Sequence, residues 1–136
     1  MTTSVTVRVN FPVDDVSLSR LHAIAFDNAP SEVLPWAERL REHSLSWVGA
    51  FDQESLIGFV HACWDGGLHA FLLDTVVDPR FQRQGVGQKL VQSLVEQVRA
   101  AGCEWLHVDY EPHLDSFYRD ACGFTATGAG LLRVSR

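Results

Sequence analysis

The chain has 136 residues, of which 46% are hydrophobic and 21% charged, and its formal net charge is −6. That length suits one domain, residues 1–136, with its own core, and the composition excludes the polar, charge-rich profile of disorder. The acidic balance argues against a nucleic-acid partner, which needs a basic face, and leaves cationic partners open.

In chain order, "SVTVRV" alternates as a half-buried strand does, and "VSLSRLHAIAF" sets Val16, Leu18, Leu21, Ile24 and Ala25 at roughly helical spacing. Pro30 and Pro35 punctuate the next segment, and Ser31 with Glu32 reads as the opening of a second helix through "EVLPWAERLREH". "LSWVGAF", "SLIGFVHACW" and "LHAFLLDTVV" are β-rich runs separated by "DQE" and "DGG", the pattern of an antiparallel meander. From Gly85 the period changes: Val86, Leu90, Val91, Leu94, Val95 and Val98 form one stripe, Gln88, Lys89, Gln92, Glu96 and Arg99 lie opposite, and Gly102 closes the helix. "EWLHVDY" predicts a strand, "HLDSFYRDACGF" a helix bearing Leu114, Phe117, Tyr118 and Ala121 on one face, and "FTATGAGLLRVS" two short strands.

No apolar run is long enough to span a bilayer, and "MTTSVTVRVNF" lacks the basic and apolar regions of a signal peptide, so a cytoplasmic location without a membrane partner is expected. Cys63, Cys103 and Cys122 are odd in number and stand in no ligand spacing; neither a disulfide framework nor a metal site is expected.

The glycine-bearing loop "QRQGVG" carries the clearest chemistry. A helix start leaves backbone N–H groups unpaired and carries the positive end of the dipole, so an anion fits there. Gly85 and Gly87 allow a ligand close approach to the main chain, and Gln82, Arg83 and Gln84 add donors. The spacing is neither that of a dinucleotide-binding GxGxxG nor that of a P-loop.

What "QRQGVG" after "LLDTVVDPRF" resembles is the acetyl-CoA signature of the GNAT superfamily of N-acetyltransferases, with Gln82, Gly85 and Gly87 at the defining positions. The resemblance runs over roughly residues 56–126 and includes "FYRDACGF", similar to the family's Phe-Tyr and Gly-Phe element. It implies a mixed, mostly antiparallel α/β sheet of about seven strands with about four helices on both faces. It also implies direct transfer of an acetyl group from acetyl-CoA to an amine in a ternary complex. The cofactor contacts so implied fall on Thr75, Val76, Val77, Gln82, Arg83, Gln84, Gly85, Val86, Gly87, Gln88 and Phe117, the first three pairing through their backbone with pantetheine where the family's strand bulges near Asp74 and parts from its neighbour. Two departures stand out. "YRDACGF" has one residue more between Tyr and Gly-Phe than many members have, and Glu111-Pro112 stands where many carry an Asn.

Tyr118 resembles the family's general acid, a phenol able to protonate the departing thiolate. Asp74 interrupts the otherwise apolar "FLLDTVV", so it is either a site carboxylate that deprotonates or binds the acceptor ammonium, or an edge residue bonded to backbone. His61, His69, His107 and His113 read individually as core or surface residues, His69 being foremost because it shares a strand with Asp74. Phe26, Trp36 and Trp64 either wall an acceptor pocket or belong to the core. The expected acceptor is a small cationic amine. A protein N-terminus or lysine, and a non-catalytic acyl-CoA sensor on the same fold, are the alternatives. A homodimer is the commonest soluble assembly.

Overall fold

The computed structural model describes residues 4–26 and 32–135. Strand β1 (Val5–Val9) is followed by helices α1 (Asp15–Ala25) and α2 (Trp36–His43), and then by strands β2 (Ser44–Asp52), β3 (Ser55–Trp64) and β4 (His69–Val77). Helix α3 (Val86–Ala100) and strand β5 (Trp105–Val108) come next, and a π-helix at Ser116–Ala121 makes the fourth helix. The strands form one sheet in the order β1-β2-β3-β4-β5, antiparallel throughout except for the parallel β4–β5 pair.

Each face of the sheet has its own core. On one, α3 presses Val86, Leu90, Val91, Leu94 and Val98 onto Val48, Ile57, Val60, Ala62, Ala70 and Leu72. Each such apolar side chain stabilises the fold by about 1.5–3 kcal/mol on leaving water. On the other, α1 and α2 supply Leu18, Leu21, Trp36 and Leu40 against Phe11, Phe51, Phe59 and Val76.

Four expectations from the sequence are corrected. The sheet has five strands rather than about seven, because residues 125–135 form no strand. There Leu131, Leu132 and Val134 are exposed with no layer to cover them, and Gly128 and Gly130 raise the entropic cost of ordering the segment. Helix α2 starts at Trp36, since Pro35 disfavours helix in the residue before it but suits a helix start; Ser31 and Pro30 lie outside the described residues. The buried edge of α1 runs through Leu18 and Leu21, while Val16 and Ile24 face solvent, because the helix packs by the Leu18–Leu21–His22–Ala25 side. The segment around Tyr118 is a π-helix: Cys122 N–H donates to Phe117 O at 3.0 Å and Phe124 N–H to Tyr118 O at 2.9 Å, wide turns that absorb the extra residue in "YRDACGF".

Among the described residues no helix is long and apolar enough to cross a membrane, and no group of three or more His, Cys, Asp or Glu is arranged to hold a metal ion. The three cysteines are free thiols.

Candidate active site

The site is organised by an irregularity in β4. Opposite Phe59 and His61 of β3, strand β4 spans Val76 to Leu73, one residue more than its partner, and Asp74 takes up the excess at φ +58°. Asp is among the few non-glycine residues that tolerate this left-handed region. The bulge reverses the strand's alternation. Ala70 and Leu72 pack under α3, whereas Val76, which an unbroken period of two would put beside them, joins the opposite core.

The same stretch parts from β5. Pairing with β5 ends at Leu72–Val108, and Leu73–Val77 runs on without a partner on that side. A cleft of about 450 Å³ opens at this divergence, lined among others by Phe26, Asp74, Thr75, Asp109, Glu111 and Tyr118. Strand edges there leave backbone N–H and C=O groups free to pair with an extended ligand, as added strands do.

Two ionisable groups flank the bulge on opposite faces. On the α3 face, the Tyr118 hydroxyl donates to Thr75 Oγ1 at 3.1 Å, and the Tyr118 ring stacks on Tyr110 with centroids 4.9 Å apart. Tyr110 is anchored in turn by donating to Asp115 Oδ1 at 2.8 Å. Burial raises the Tyr118 phenol above its ordinary value, outweighing the Thr75 hydrogen bond, so the proton is on the oxygen at neutral pH.

On the α1 face, the Asp74 carboxylate lies between two imidazoles, with Oδ1 3.0 Å from His22 Nε2 and Oδ2 2.8 Å from His61 Nε2. His61 Nδ1 lies 2.8 Å from Ser44 Oγ. Burial by itself would raise this carboxyl, but hydrogen bonds from His22 and His61, together with their electrostatic attraction, outweigh it and hold the group well below the usual carboxylate range.

The glycine loop lies at the other end of the cleft strand. Asp78 caps the 3-10 turn Pro79–Phe81 by accepting from Arg80 N–H at 2.9 Å, and its carboxylate also pairs with the Arg80 guanidinium at 2.9 Å. Gln82 donates to Val77 O at 3.2 Å, closing the end of β4. Arg83 at φ +62° and Gly85 at φ +80° then turn the chain into α3. No side chain caps this helix start and no acidic residue occupies its first turn, so the N–H groups of Val86, Gly87 and Gln88 meet the dipole's positive end without competition.

The two glycines have different reasons. A Cβ on Gly85 would meet nothing within 4 Å, leaving the approach open, while its φ favours glycine. A Cβ on Gly87 would come within 3.2 Å of the Phe117 ring, so that glycine seats Phe117 on the first turn of α3. Gln88 donates to Ala121 O at 2.9 Å, which ties the helix start to the Tyr118 segment.

Bulge, cleft and loop thus gather Asp74, Thr75, Val76, Val77 and Tyr118 with residues 82–88 along one line. His69, the foremost histidine in the sequence reading, is elsewhere: its Nδ1 lies 2.7 Å from His107 Nε2 on the exposed end of β4 and β5. Trp36 is a buried core residue, 2% exposed, whereas Phe26 is half-exposed and lines the cleft. The residue that sequence reasoning missed is His22. It lies 52 positions from Asp74, and its only signal was a histidine on the buried side of an amphipathic helix.

The fold and cleft define a class of small α/β proteins with a parted parallel strand pair and an anion-ready helix beside it. The sequence pattern of the Acetyltransferase (GNAT) family matches residues 16–124, and the chain belongs to that family. It is 38% identical over 64 residues to the uncharacterized N-acetyltransferase ycf52 of Porphyra purpurea, covering 47% of this chain and 37% of that one. It is 32% identical over 88 residues to GCN5-related N-acetyltransferase 1, chloroplastic, of Arabidopsis thaliana, covering 65% of this chain and 44% of that one. The chain therefore spans less than half the length of these curated relatives. A solved structure of AAC(6')-Iy in complex with a CoA bisubstrate analog superposes with a TM-score of 0.78 at 20% identity, over 98% of this chain and 99% of that one, a likeness of fold.

Proposed function

We propose that the chain is an acetyl-CoA-dependent N-acetyltransferase that moves an acetyl group directly to the amine of a small cationic acceptor. The observation that carries the acceptor class is the charge of the cleft. Asp74, Asp109 and Glu111 line it, and among the described residues no Lys, Arg or His does. Such a lining favours an ammonium over an anionic or neutral substrate by direct Coulomb attraction.

In this reading the pyrophosphate of acetyl-CoA is held by the N–H groups of Val86, Gly87 and Gln88, with Arg83 and Gln84 beside them. Pantetheine runs along the free edge of Thr75, Val76 and Val77, where a backbone N–H is positioned to polarise the thioester carbonyl. Tyr118 protonates the leaving sulfur, and the negative charge of Asp74, both of whose oxygens are held by imidazoles, draws the acceptor's ammonium toward the bulge.

Two features support direct transfer over a covalent acetyl-enzyme. Among the described residues no cysteine lines the cleft, and burial raises the thiols of Cys63 and Cys122, which disfavours the nucleophilic thiolate.

The test is thiol release from acetyl-CoA across a panel of polyamines, aminoglycosides, amino-acid derivatives, lysine peptides and peptide N-termini. Release with small cationic amines supports the reading. Preference for peptides would move the acceptor to protein, and acetyl-CoA binding without release for any amine would make the chain a sensor.

A further inference from the structure

The chain of contacts Ser44–His61–Asp74–His22 contains two imidazoles around one carboxylate, and their ring nitrogens are not equivalent. With Asp74 ionised, both Nε2 atoms must carry a proton in order to donate to it. That leaves each neutral ring a single acceptor, Nδ1. For His61 this atom is taken by the Ser44 hydroxyl at 2.8 Å, and the side chain is 7% exposed. For His22, Nδ1 has no hydrogen-bond partner among the described residues, and the side chain is 28% exposed. Its ring stands 4.7 Å from that of Phe26, a wall of the cleft.

Resting on the acetyltransferase reading above, we propose that His22, which lies behind Phe26 rather than in the cleft lining, takes up through water, on Nδ1, the proton that the acceptor ammonium must lose, while Asp74 fixes the ring and offsets the charge of the imidazolium. Asp74 and His61 then act as positioning residues. The carboxylate orients His22, and His61, locked by Ser44, orients the carboxylate. The groups facing His22 are Asp74 from β4, His61 from β3, and Trp36 from α2 with Arg39 over its ring at 4.5 Å.

The protons balance. The ammonium gives one proton to His22, and the freed nitrogen pair forms the bond to the thioester carbonyl carbon. The C–S bond breaks with its pair going to sulfur, which takes the Tyr118 proton. Tyr118 regains a proton from the nitrogen as the amide forms, and His22 releases its own to solvent. The two groups stand on opposite faces of the bulge, joined to its adjacent residues Asp74 and Thr75.

His22→Gln keeps a donor toward Asp74 but cannot hold a proton, and His22→Asn serves if the first variant does not fold. The probes are putrescine, an ammonium at neutral pH, and trifluoroethylamine, which is mostly neutral there. Thiol release from acetyl-CoA by the variant is expected to fall ~10²–10⁴-fold with putrescine at neutral pH, to change by less than a few-fold with trifluoroethylamine, and to climb toward wild type with putrescine as pH rises. An equal loss on both amines, a wild-type to variant ratio constant with pH, or no loss at all would overturn the role of His22. If wild type uses putrescine alone, the pH series decides. Absence of release by wild type with either amine would instead overturn the acetyltransferase reading on these probes and the role of His22 with it.

Discussion

The hydroxyl of Tyr118 lies 3.1 Å from Thr75 Oγ1, on the residue that follows the left-handed Asp74. One irregular step of β4 therefore sets the position of both the buried phenol and the carboxylate between two histidines. Tyr118→Phe removes one hydroxyl and keeps a ring that stacks on Tyr110 and meets Phe117 and Phe124 edge-on. Stability should change by about 1 kcal/mol, the scale of one hydrogen bond. Turnover should fall ~10²–10⁴-fold, with acetyl-CoA affinity altered far less. Thermal melts and thiol release measure the two effects, and a rate near wild type would mean that another group supplies the proton.

Gly85→Val should weaken acetyl-CoA binding at least about tenfold, which is about 1.4 kcal/mol. Gly85 is at φ +80° with open space where a Cβ would go, so the substitution adds backbone strain and blocks the approach to the helix start without crowding the core. Gly85→Asn separates the two effects, since Asn tolerates the left-handed region but still fills the approach. Calorimetry giving wild-type affinity in both folded variants would move the phosphate site elsewhere.

Asp74→Asn should retain acetyl-CoA binding, lose transfer to an ammonium acceptor, and shift the dependence of stability on pH. The native Asp74 carboxyl is depressed relative to the unfolded value of about 3.9. Its contribution to stability is therefore present above about pH 4 and lost as pH falls through the lower native value. Urea unfolding over a pH series should show the gap between wild type and Asp74→Asn widest above about pH 4 and shrinking on acidification. A gap independent of pH would show that Asp74 is not held ionised by its histidines.

Leu94→Ala, on the buried face of α3 and 0% exposed, should cost about 2–5 kcal/mol by urea unfolding while leaving the cleft residues in place. Loss of acetyl-CoA binding well below the unfolding transition would mean that the core and the site are more tightly joined than their contacts suggest.

Alternation in β1, apolar β-rich runs between short turns and helical spacing in α3 made these elements legible, because each is a pattern that local sequence can report. The glycine loop was legible for a similar reason, its unpaired donors being a local property of a helix start. What escaped was non-local. The bulge at Asp74 depends on register with β3 and was implied only by the family resemblance, and the His22 contact joins residues 52 apart on different layers, so neither leaves a periodic trace. The tail failed in the opposite sense: "GLLRVS" has apolar residues that suit a strand, but no neighbouring layer buries Leu131, Leu132 or Val134. His69 drew notice by sharing a strand with Asp74, yet it lies in the regular part of β4 outside the bulge, and its ring partner is His107 on β5.

Initial-rate kinetics with acetyl-CoA and a turned-over amine varied together test direct transfer within the β4–β5 cleft most directly. Acetyl-CoA and acceptor should both have to be bound before any thiol is released, giving reciprocal plots that intersect, with no burst of CoA from acetyl-CoA alone. Parallel plots, or stoichiometric CoA release before amine is added, would reveal a covalent acetyl-enzyme and contradict the account.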